Sequence, residues 1–146
     1  PRGKAIVTIL SEVTSMTEKR IVLSRREYEK LWNIIEAMRS SNRLREPYLR
    51  HLYDELQAAV VLDEGVLPAG TVTLYAEVAY TNLSTGSRHQ ASIVFPADQN
   101  HDEKRYSIFT PLGAALIGES EHNRTICYAP AGDIPLRIDA ITPPVY

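Results

Sequence analysis

An α+β fold is expected of this chain: an antiparallel helical hairpin, then an antiparallel β-sheet carrying one short helix. Two observations predict it. Apolar residues recur at steps of three and four up to about residue 60, which is the spacing of a helix face, and at steps of two from residue 71, which is that of a strand. Between these regimes stand Gly65, Pro68 and Gly70, turn residues that mark a change of structure. The chain divides accordingly into an N-terminal arm (1–20), a helical hairpin (21–62), a linker (63–70) and a sheet domain (71–146).

The first helix opens at Ser24, which with Glu27 spells a capping box. Tyr28, Leu31, Trp32, Ile35 and Met38 follow on one stripe, until Ser40, Ser41 and Asn42 break the pattern. Pro47 suits the first turn of a second helix, whose stripe is Leu49, Leu52, Leu56 and Val60, flanked by Tyr53 and Ala59. At about 13–16 residues each, the helices are roughly 20–24 Å long. That is marginal for isolated helices in water, so they must bury their stripes against each other or against the sheet.

Strands are expected over 71–82, 88–96, 105–109, 125–130 and 134–141, with a turn at Ser84, Thr85 and Gly86 and a polar loop over 98–104. The stretch TPLGAALIG (110–118) reads as the short helix: Thr110 caps it, Pro111 fits its first position and Gly118 ends it, with Leu112, Leu116 and Ile117 filling the sheet's concavity. Residues 5–10 (AIVTIL) read as a further strand or an arm.

The 146 residues, 44% apolar and 23% charged, have the balance of a soluble globular protein with its own core. A net charge of −2 gives no whole-protein reason to bind DNA or an acidic membrane. The lone Cys127 excludes an intrachain disulfide and a thiolate zinc site, and its apolar setting predicts an inert buried thiol. No apolar run approaches the roughly 20 residues that span a bilayer. The opening PRGKAIVTILSEV is too weakly apolar for a signal peptide, so a cytoplasmic protein is expected. The histidines at 51, 89, 101 and 122 lack metal spacing, and neither a nucleophile elbow nor a phosphate-binding glycine loop occurs. No catalytic residue, metal or cofactor is assigned.

The string YSIFTPLGAALIG (106–118), with TVTL (71–74), NLSTG (82–86), IVFPAD (93–98), PAG (130–132) and the helix entry LSRREYEKL (23–31), resembles the bacterial Gre transcript-cleavage factors and the related Rnk-like regulators. The resemblance implies an FKBP-like fold for 71–146. It also implies docking at the rim of RNA polymerase's secondary channel through Thr110, Pro111, Leu112 and Gly113, with the hairpin entering the channel. RNA polymerase is then the partner, and nucleic acid is met only indirectly through it. In Gre factors an Asp and a Glu at the hairpin tip help hold a Mg²⁺ ion, a task suited to carboxylate oxygens.

The tip here carries Arg39, Arg43, Arg45 and Arg50 with a single acid, Glu46. These arginines are either a solvated end or a patch for carboxylates or phosphates. With no acid pair and a short hairpin, a polymerase-binding regulator that is not itself an enzyme is expected. The alternatives are a Gre-type cleavage factor using Glu46 and, on fold alone, a peptidyl-prolyl isomerase. The isomerase is disfavoured because the one tryptophan, Trp32, lies in the helical half.

Overall fold

The computed structural model describes residues 20–63 and 69–144. The expected arm, apart from Arg20, and the linker residues Gly65 and Pro68 lie outside them. The element order is β1 (Val22–Ser24), α1 (Arg25–Ser40), α2 (Pro47–Gln57), β2 (Val60–Leu62), β3 (Glu77–Asn82), β4 (Arg88–Val94), β5 (Arg105–Ser107), α3 (Pro111–Leu116), β6 (Arg124–Ala129) and β7 (Gly132–Thr142).

Each helix boundary has a local cause. The Ser24 hydroxyl accepts from the Glu27 N–H at 3.2 Å and starts α1. Asn42, at φ +59°, ends it: the Asn42 N–H donates to the Arg39 carbonyl and the Arg43 N–H to the Met38 carbonyl, the two bonds of a Schellman motif. Pro47 stands at the start of α2 behind Glu46. This second helix has 11 residues, fewer than expected. Val60 is therefore not on its stripe but in β2, which pairs in parallel with β1 and ties the two ends of the helical segment together.

The five-stranded sheet runs β5-β4-β3-β7-β6. It is antiparallel except at one edge, where β5 lies parallel to β4. The expectation of a wholly antiparallel sheet is corrected there, because the chain crosses back over residues 96–103 through two short 3-10 turns rather than a tight hairpin. The strand expected over 71–82 begins only at Glu77. Tyr75, at φ +69°, breaks it, held by its backbone bond to Ile93 and by its hydroxyl, which meets the Asp98 carboxylate. Such a backbone is strained for an aromatic residue and persists only where its surroundings fix it. The Asn82 side chain, accepting from Ser84 and Thr85, shapes the predicted β3–β4 turn.

Buried residues of helices and sheet form one contiguous cluster. Leu31, Ile35, Leu52 and Leu56 join Val78, Ile93, Leu116 and Ile138 in it. Leu116 and Ile117 of the expected plug are fully buried, and Leu112 is half-buried. Cys127 is buried too, and burial pushes its thiol pKa up, away from the reactive thiolate. No helix among the described residues is long and apolar enough to cross a membrane.

Candidate functional site

Thr110 does two tasks at once. Its hydroxyl donates to the Ser107 carbonyl at 2.7 Å and accepts from the Gly113 N–H at 3.1 Å, so one side chain closes the turn after β5 and caps α3. Gly113 is dictated by space. A Cβ there would stand 2.3 Å from the Ser107 carbonyl oxygen and 2.8 Å from the Ile108 Cα, both backbone atoms that cannot step aside. At the other end Gly118, at φ +79°, lies against Ile21, whose Cγ2 would be 2.5 Å from an added Cβ. Thr110, Pro111 and Leu112 remain partly exposed, while Gly113 is buried. The first three are thus the part of the motif that a partner can touch.

The tip residues behave differently. Arg39 donates to Glu36 through both Nε and Nη2, at 2.9 and 2.8 Å, and the other Glu36 oxygen accepts from the Tyr53 hydroxyl at 3.0 Å. The Arg39 hydrogen bonds, and secondarily that of Tyr53, hold the Glu36 pKa below its ordinary value. Arg43 turns to the Ser41 hydroxyl and Arg45 to the Asn42 carbonyl. Glu46 is exposed and makes no side-chain capping bond, and Arg50 is exposed one turn on. Trp32 stacks between Tyr28 and Tyr53, with centroids 6.2 and 5.5 Å away, so it belongs to the contact between the helices.

Motif and tip are brought together by a residue that sequence reasoning missed. The Tyr48 hydroxyl donates to the Phe109 carbonyl at 3.3 Å, bonding the start of α2 to the residue before Thr110. Leu44, within the tip loop, also packs against the core. Lys30 adds a third contact between the halves, its ammonium 4.3 Å from the Phe95 ring centroid. An aromatic after Pro47 was the only signal for Tyr48, and nothing in the helical period singles it out.

Residues 67–143 match the family model described as "Transcription elongation factor, GreA/GreB, C-term", just over half of the chain. The chain belongs to the GreA/GreB family. It is 30% identical over 103 residues to a protein named transcription elongation factor GreA from Chloroflexus aggregans, covering 70% of this chain and 66% of that protein. It is 32% identical over 72 residues to the regulator of nucleoside diphosphate kinase of Escherichia coli, covering 49% and 53% respectively. The matches thus span between about half and just under two thirds of these curated relatives. Among solved structures, the prokaryotic transcription elongation factor GreA/GreB from Nitrosomonas europaea superposes with a TM-score of 0.68 at 26% identity, covering 86% of this chain and all of that one. The GreA/GreB-like fold is therefore shared well beyond the sheet.

Proposed function

We propose that this protein is a transcription regulator that binds RNA polymerase at the rim of the secondary channel and does not itself stimulate transcript cleavage. Membership of the GreA/GreB family supports the partner. In this reading the sheet domain is FKBP-like, α1 and α2 are the family's hairpin in shortened form, and Thr110, Pro111 and Leu112 face the polymerase, with Gly113 fixing their backbone.

The observation that carries the non-cleaving half of the reading is the Tyr48–Phe109 bond. Glu46, the tip's one acid, is two residues from Tyr48, hence within about 7 Å of chain from it. Anchored beside the docking motif, it has little reach into a channel that the motif only rims. A lone carboxylate also supplies too few oxygens for a hard divalent ion. The tip instead presents Arg43, Arg45 and Arg50, suited to carboxylates or phosphates at the channel mouth.

The test is capture of core RNA polymerase by the full chain, followed by challenge with a Gre factor. Mutual displacement at micromolar concentration is expected, and so is weaker capture by Thr110→Arg. Failure to bind overturns the reading. The exposed carboxylate of Glu46 favours one second reading, a cleavage factor working with a single acid. Release of short 3′ RNA from backtracked complexes, abolished by Glu46→Ala, would establish it.

A further inference from the structure

The face of the sheet turned away from the core carries a feature that the docking reading does not use. Arg88 of β4 is the cross-strand partner of Thr81 in β3, Thr81 of Arg137 in β7, and Arg137 of Arg124 in β6. Three arginines thus lie in one row across four strands, roughly 14 Å long at about 4.8 Å per strand interval. Leu136, Ile138 and Cys127, neighbours in the alternation, are buried on the opposite face, which fixes the row outward. Beside it lies a groove of roughly 680 Å³, lined by Arg88 and Arg137 with Lys104, Gln90 and Asp139.

The charge arrangement runs against the stability of the sheet. Like charges directly across a strand pair disfavour it, and Arg124 opposes Arg137. The carboxylate of Asp139 is already engaged by Arg137 Nε at 2.8 Å and by the Thr81 hydroxyl at 2.5 Å. Among the described residues the side chains of Lys104 and Arg124 are in no ion pair or hydrogen bond, and Arg88 makes no direct bond, acting on Asp139 only as a nearby charge. Asp139 and Thr81 use only two of the five N–H donors of Arg137, at Nε and Nη2, and hold its fork in place with the rest unspent.

We propose that this row and groove bind a chain of phosphoryl groups, either the triphosphate of a free nucleotide or the backbone of a single RNA strand. A carboxylate is satisfied by one guanidinium fork. A phosphoryl group has oxygens left for a second, and Arg137 and Arg124 stand one strand interval apart. The linear row matches a linear polyanion rather than an isolated anion, and a groove of this volume is of ligand size.

The test uses the full chain with two probes, inorganic triphosphate by calorimetry and a labelled 12-nucleotide single-stranded RNA by anisotropy. The variants are Arg88→Ala/Lys104→Ala and, separately, Arg124→Thr. All three positions are exposed, and cooperative thermal melts with midpoints no lower than that of the parent chain confirm folding. RNA affinity is expected to fall at least about tenfold at low salt in the double variant. The slope of log K against log salt should drop by about 1.4, two phosphate contacts at about 0.7 each. Displacement of RNA by triphosphate identifies the nucleotide as the source, and RNA binding indifferent to triphosphate identifies the strand. No binding of either probe at millimolar concentration, affinities untouched in both variants, or tighter binding of a 12-residue polyglutamate overturns the proposal. Polymerase capture is read separately, so its failure leaves this result standing.

Discussion

The TPLG motif and the tip loop, linked through Phe109 and Tyr48, are built on opposite plans. In the motif, shape is fixed by backbone: Thr110 caps and ties, and Gly113 leaves no room for another atom. In the tip, shape is fixed by exposed side chains that bond within their own turn, Arg39 to Glu36, Arg43 to Ser41 and Arg45 to Asn42. The motif should therefore tolerate almost nothing at its buried end, whereas the tip should accept substitutions freely and respond mainly in binding.

The largest effect is expected at Gly113→Ala. Alanine gains about 0.5–1 kcal/mol over glycine in a helix, but the clash with the Ser107 and Ile108 backbone outweighs this, for a net loss of about 3 kcal/mol by urea unfolding. Thr110→Ala should lose about 1 kcal/mol through its cap. Retention of full stability there would break the contrast from the motif's side. Tyr48→Phe removes one partly exposed bond at 3.3 Å and should lose about 0.5 kcal/mol, with a larger proportional effect on polymerase capture than on stability.

Arg39→Ala should lower the denaturation midpoint only slightly at neutral pH, while the Glu36 carboxyl, followed by NMR, titrates at higher pH. The sign follows from the depressed pKa. The clamp contributes above the ordinary value of 4.5 and is withdrawn as pH falls through the lower folded value, so a loss appearing on the alkaline side would contradict it. The smallest effect is a gain: Arg124→Thr relieves a like-charge pair and should stabilise by a few tenths of a kcal/mol in the absence of ligand.

What could be read from the sequence follows from the range of each interaction. Ser24, Asn42, Asn82 and Thr110 act on residues two or three positions away, so the helix starts, the end of α1 and the β3–β4 turn were legible. The parallel β1–β2 pairing, the parallel β5 edge and the truncated start of β3 depend on partners tens of residues distant, such as Asp98 for Tyr75. The same holds for cations. The tip arginines are legible as a cluster because they lie within a dozen positions of one another. Arg88, Arg124 and Arg137 become a row only through strand register, which no local pattern encodes.

The bond from Tyr48 to Phe109 has a consequence for avidity. Two patches on a flexible connector reach effective concentrations set by the connector's length, and ordering that connector opposes binding. Here the two are joined by the core that helices and sheet share, with the Tyr48–Phe109 bond and Leu44 packed against that core, so motif and tip form one preformed surface. Contacts too weak to hold a partner separately can then act together with little left to freeze, and their geometry selects a partner that offers both at the matching spacing.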